Sequence, residues 1–166
     1  MSLKSHDFRF LSVWRIPAEL PDIWNTVGKV SAYPTWWPGI EKVDVLTGPE
    51  LPITVGTHAR YTVVSPFYRL QYETLVKEFD TGKFIIASAN GDLSGTGTWT
   101  FKQLPGATEA AFDWQVTVGP PVLRALSHVA PARAVMQYFH NRLMDAGERG
   151  LQQLYSQTYL KEKLPA

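Results

Sequence analysis

The sequence predicts a single α+β domain in which a curved, antiparallel seven-stranded sheet wraps a long C-terminal helix. Three observations carry this. An isolated segment near the start, Phe8 to Ile16, alternates with aromatic residues on one side. Between Ile40 and Val118 six more strand-like segments follow one another with short turns, the order expected of an antiparallel meander. From Ala132 to Tyr155 the period changes to 3.6 residues, and the stripe Met136, Phe139, Leu143, Gly147, Leu151 and Leu154 is the one long apolar face able to cover such a sheet.

The elements follow in order. Phe8, Phe10, Ser12, Trp14 and Ile16 share the inner side of the first strand, which Pro17 ends. Ala18 to Val30 reads as a short helix, with Ile23, Trp24 and Val27 at helical spacing. Pro21 suits its first turn, where a missing N–H costs nothing. Tyr33 to Gly39 is an aromatic, proline-bounded segment with room for one helical turn. The six strands of the meander are Ile40–Leu46, Thr57–Ser65, Tyr68–Phe79, Lys83–Asn90, Ser94–Leu104 and Thr108–Val118. Gly48-Pro49, Pro66, Asp80-Thr-Gly82, Gly91-Asp92 and Pro105-Gly106 separate them. Val122 to Val129 reads as a helical piece that Pro131 breaks or kinks, so the long helix is expected to begin near Ala132. Thr158 to Ala166 reads as a frayed tail.

The chain of 166 residues suits one domain, with a core at about residues 6–156 and no linker or repeat. At 45% apolar and 19% charged residues it is able to bury a core. Lys and Arg total 16 against 15 Asp and Glu, so no basic excess points to nucleic acid and no basic run to an anionic membrane. The absence of cysteine excludes a disulfide framework, a thiolate metal site and a cysteine nucleophile. The first ten residues lack an apolar signal core and no stretch reaches membrane-span length; a cytoplasmic protein without stable membrane insertion is the expectation.

Four words in the sequence bear on family. They are Ser12-Val-Trp-Arg-Ile-Pro-Ala18 leading into Ile23-Trp24, Tyr33-Pro-Thr-Trp-Trp-Pro-Gly39, Gly91-Asp-Leu-Ser-Gly-Thr-Gly-Thr-Trp99 and Phe112-Asp-Trp-Gln-Val116. In this order and on these elements, the chain resembles the START-like (SRPBCC) superfamily, which includes polyketide cyclase/dehydrase-like proteins and pollen allergens. The resemblance implies the helix-grip fold and a cavity between sheet and helix for an apolar or aromatic ligand. It implies no one catalytic set, because a fold by itself licenses no reaction.

The inward faces project Trp14, Tyr72, Trp99, Phe101 and Trp114 toward Met136, Phe139 and Leu143. Such a surface either lines a pocket for a flat apolar ligand or fills an ordinary core. Gly95 and Gly97 either leave room for a ligand, the helix or a neighbouring ring, or bend the sheet. Trp36 and Trp37 read as a plug at one end of the core, with a lid, a membrane contact or a partner contact as alternatives. Ser88 and Asn90 share a side with Phe84 and Ile86 and are expected to face the cavity. His140, next to the apolar stripe, is a candidate to anchor a ligand or act as a general base, or is simply a satisfied histidine. Asp113 and Glu73 alternate to the outer face, and Asp92 lies in a turn.

No metal or nucleotide cofactor is expected. His6, His58, His128 and His140 lack ligand spacing, Gly95-Thr-Gly97 is followed by a strand where a dinucleotide loop demands a helix, and neither a P-loop nor a nucleophile elbow is present. Three functions remain: a binding module for an apolar, lipid- or polyketide-like small molecule; a cyclase/dehydratase-like enzyme using the same cavity, with His140 and Tyr72 as its first candidates; and a protein-interaction module. The residues do not choose a ligand or an oligomeric state.

Overall fold

A computed structural model describes residues 7–64, 69–119 and 130–163. The chain runs β1 (Asp7–Ile16), α1 (Leu20–Gly28), a 3-10 turn (Val30–Ala32), α2 (Tyr33–Trp36), then β2 (Ile40–Thr47), β3 (His58–Val64), β4 (Arg69–Asp80), β5 (Phe84–Gly91), β6 (Leu93–Leu104) and β7 (Ala107–Val118), and ends in α3 (Ala130–Lys163). The expected helical piece at 122–129, Ser65, Tyr68, His6 and His128 lie outside the described residues.

All seven strands form one antiparallel sheet in the order β1-β7-β6-β5-β4-β3-β2. β2 to β7 are a meander, and β1 joins its far end along β7, in full register from Asp7↔Thr117 to Ile16↔Thr108. This is the expected helix-grip architecture. Register shifts between Val76 and Glu78, and twice in β2, insert extra residues and bend the strands. A Cβ on Gly95 would run into the carbonyl oxygen of Gln115, so the glycine permits close backbone approach rather than making room for a ligand.

β1 is an edge strand, and α3 blunts it. Arg133 donates to the Asp7 carbonyl at 3.0 Å, the Glu148 carboxylate accepts the Arg15 N–H at 2.8 Å, and Gln152 donates to the Arg15 carbonyl at 3.0 Å. Backbone groups that would otherwise offer a pairing template are thereby occupied.

The described helix begins at Ala130, two residues earlier than expected, with Pro131 in its first turn, a position that tolerates a missing N–H. The break expected at Pro131 concerns the piece at 122–129, outside the described residues. The backbone of α3 remains helical to Lys163, past the expected fraying point at Thr158. The buried stripe also differs at its end. Met144 and Leu151 are buried, whereas Leu154 is 39% exposed. There α3 leaves the sheet and meets α1, so Tyr155 takes the inner position and donates its hydroxyl to the Asp22 carbonyl at 3.0 Å.

Two apolar clusters result. One gathers Trp14, Ile16, Ile23, Trp24, Trp36, Trp37, Trp99, Phe101 and Leu151; the other gathers Phe8, Phe10, Leu93, Trp114, Val116 and Val118. Leu70, Tyr72 and Phe112 pack against both.

Candidate ligand cavity

Strand alternation places every second residue of β3 to β7 on the concave side. Ala59, Tyr61 and Val63 line up with Leu70, Tyr72, Thr74 and Val76, then Ile85 and Ala87, Gly97 and Trp99, and Phe112, Trp114 and Val116. α3 faces them with Val135, Met136, Phe139, His140, Leu143 and Met144. Helix and sheet do not close on one another here, and a cavity of about 1140 Å³ remains. That slightly exceeds the roughly 300–1,000 Å³ of ordinary small-molecule pockets.

Of the residues expected at the site, Tyr72, Gly97, Trp99, Trp114, Met136, Phe139, His140 and Leu143 line this cavity. Four do not. Trp14 points inward but is 2% exposed and boxed by Trp37 and Trp99, with ring centroids at 4.9 and 5.0 Å. Phe101 lies under α1, edge-on to Trp24 at 5.3 Å. Ser88 and Asn90 are on the wrong face. Directly paired residues share a face, and Ile85 pairs with inward Trp99 and Ala87 with inward Gly97, which turns Ser88 and Asn90 outward. Asn90 is exposed and accepts a hydrogen bond from Ser94 Oγ at 3.4 Å.

The lining residues that the sequence did not single out for the site include Tyr61, Thr74, Arg142 and Arg149. Tyr61 and Thr74 are marked by strand alternation, whereas Arg142 and Arg149 lie off the apolar stripe and carry no such signal. Gly97 clears space for an adjacent ring: a Cβ would sit 2.8 Å from the Trp114 indole and 3.0 Å from Phe112. Trp36 and Trp37 are buried and plug the end of the core, with Trp37 contributing one wall of the cavity.

Apart from Glu50, Arg142 and Arg149, the polar side chains that line it among the described residues are few and neutral. Tyr61 and Tyr72 stack at 5.4 Å with planes 7° apart. Burial pushes both hydroxyls above the usual tyrosine range, so each stays protonated and able to donate. Tyr33 donates to the Val27 carbonyl at 2.6 Å. His140 stacks on Phe10 at 4.2 Å, and its Nε2 lies 3.5 Å from Ser12 Oγ. Burial pushes its pKa down to about 4, which makes the imidazole neutral at pH 7.

The carboxylates that alternation assigned to the outer face are there. Asp113 pairs with Arg9 at 2.7 Å, and Glu73 with Arg60 at 2.7 Å and His58 at 2.8 Å, contacts that hold the Glu73 carboxyl below its ordinary range. Asp92 accepts the Gln71 N–H at 2.8 Å and serves the turn. Among the described residues no three His, Asp or Glu side chains converge as a metal site.

The family model described as polyketide cyclase / dehydrase and lipid transport matches residues 16–138. The chain belongs to this family. Its cavity falls largely within the matched residues, which end inside α3, just before Phe139 and His140. Among curated proteins no sequence match reaches significance.

Solved structures share the fold of this chain at low identity. A START superfamily protein from Mycobacterium smegmatis superposes with TM-score 0.71 at 18% identity, covering 90% of this chain and 98% of the other. The Zhui aromatase/cyclase from a Streptomyces species gives 0.70 at 15%, covering 89% and 93%. A protein from Thermus thermophilus gives 0.71 at 15%, covering 89% and 99%. These likenesses show that the chain has the same fold. No helix among its described residues is long and apolar enough to cross a membrane.

Proposed function

We propose that this protein binds a hydrophobic or aromatic small molecule, lipid- or polyketide-like in its apolar body, between the sheet and α3. The observation that carries the reading is the cavity of about 1140 Å³, walled mostly by aromatic and aliphatic side chains, with few polar groups away from the exposed Arg142 and Arg149. Burial of apolar ligand surface contributes about 25 cal/mol per Å², enough to drive binding without a charged anchor inside. Tyr61, Tyr72 and Thr74 supply hydroxyls to orient an oxygen-bearing ligand.

The test is a tryptophan-fluorescence titration with a panel of aromatic compounds and fatty acids, paired with native mass spectrometry of the purified protein. Trp37, Trp99 and Trp114 line the cavity and report occupancy. Quenching with one-to-one adducts is expected. No adduct and no response across the panel overturns the reading.

A second reading, a cyclase/dehydratase-like reaction in the same cavity, draws on His140 at the wall and on the fold shared with the Zhui aromatase/cyclase. An imidazole titrating near 4 is a weak proton acceptor at pH 7, so binding leads and catalysis follows. Turnover that survives both His140→Ala and Tyr72→Phe would remove these two residues from any such mechanism.

A further inference from the structure

Among the described residues the deep walls of the cavity carry no charge, and the charged lining residues are segregated. Glu50 is on the loop side, with Gly28, Val30 and Ile53, and its carboxylate is already occupied by the Ser31 N–H at 2.6 Å and the Ser31 hydroxyl at 2.7 Å. Among the described residues the cations of the lining are Arg142 and Arg149, both on α3 and both exposed. Seven residues separate them, two helical turns or about 10.5 Å of rise, so they lie on the same side of the helix. Ala146, between them, is small and leaves the rim open.

Neither arginine is committed to an acid among the described residues, where the ion pairs engage other cations such as Arg9, Lys42, Arg60, Arg69 and Lys83. Arg142 donates one N–H to the Tyr138 hydroxyl at 3.1 Å, which leaves its other donors open. A charge drawn into the apolar interior without a partner is strongly unfavourable, so a ligand's ionised end stays where a partner waits.

We infer that the ligand is an amphipathic acid, its apolar body in the cavity and its anionic end held at the rim by Arg142 and Arg149. The inference rests on the cavity being a ligand site. It adds the sign of the ligand's charge and its direction: the acid lies toward α3 and away from Glu50, and an amine of the same shape is repelled by the same two guanidinium groups.

The test compares 1-pyrenebutyric acid with 1-pyrenebutanol, which share a flat apolar body and differ at the end group. Affinity is read by quenching of the cavity tryptophans. The acid is expected to bind about five- to tenfold tighter than the alcohol, the range of charge-assisted contacts at a partly exposed rim. The gap should narrow as salt is added. The double variant Arg142→Gln/Arg149→Gln should lose the preference, its affinity for the acid falling to that for the alcohol, and Arg142→Lys/Arg149→Lys should retain most of it. Equal binding of acid and alcohol by the parent protein, or equal weakening of both in the glutamine variant, overturns the inference and leaves the cavity reading standing. If neither probe binds, both fall.

Discussion

The indole N–H of Trp37 donates to the backbone carbonyl of Leu143 at 2.8 Å, joining the aromatic plug after α1 to the middle of α3. The contact exists because α3 presents glycine at this point. A Cβ on Gly147 would lie 2.5 and 2.6 Å from the Trp37 Cε2 and Nε1 atoms, and one on Gly150 would collide with the Trp36 carbonyl. The helix is therefore seated closely at the plug and stands off the sheet farther along, where Met136, Phe139 and Leu143 border the cavity. The tight end makes the open end possible, because it anchors the helix without help from a fully packed interior.

Trp37→Phe keeps an aromatic ring but removes the donor and part of the buried indole. Loss of the hydrogen bond and of packing should destabilise the fold by about 1–3 kcal/mol, read as a lower midpoint in urea unfolding. Gly147→Val forces atoms into the indole and should cost about 1–3 kcal/mol in the same assay. An unchanged midpoint in both would mean that the plug does not anchor α3.

His140 makes stability depend on pH. Its folded pKa of about 4 lies below the ordinary histidine value of 6.5, so the unfolded chain takes up a proton that the folded chain refuses. The contribution is complete above pH 6.5, falls as pH drops toward 4, and falls no further below that. His140→Gln removes this component. From pH 7 to pH 4 the parent should lose stability relative to this variant, by on the order of 2–3 kcal/mol in unfolding free energy. A difference that is flat across that window sinks the assignment.

Filling the cavity should separate binding from folding. Ala87 faces inward opposite Gly97, so Ala87→Phe projects a ring into open space. Affinity for a pyrene probe should drop tenfold or more, on the order of the 1.4 kcal/mol that such a factor represents, while the urea midpoint holds or rises. Ser88→Ala and Asn90→Ala, on the outer face, should leave the same affinity unchanged. Loss of binding in either of those would contradict the register of β5.

Gly97→Ala tests the ring packing beside the cavity. Its Cβ would press on the Trp114 indole at 2.8 Å, and about 1–3 kcal/mol of stability should be lost. Combining it with Trp114→Leu should recover much of that loss in a double-mutant cycle.

Much of the architecture was legible because it follows from local periodicity. The alternation of Phe8 to Ile16 and of the six later segments, and the 3.6-residue stripe after Ala132, are properties of the chain alone, since side-chain direction is set by backbone geometry before any tertiary contact forms. The outward placement of Asp113 and Glu73 and the inward placement of Tyr72, Trp99 and Trp114 follow from the same rule. Pairing decided what alternation could not. In β5 both sides carry small or apolar residues, so only the partners Trp99 and Gly97 reveal that Ile85 and Ala87 face inward and Ser88 and Asn90 outward. Trp14 and Phe101 were correctly read as inward, but whether an inward ring meets a void or another ring depends on where α1 and the Trp36-Trp37 plug dock. The void itself, and the two arginines at its rim, belong to the tertiary structure. They arise from the distance at which Gly147 and Gly150 let α3 settle against the plug, a matter of three-dimensional packing that no spacing along the chain encodes.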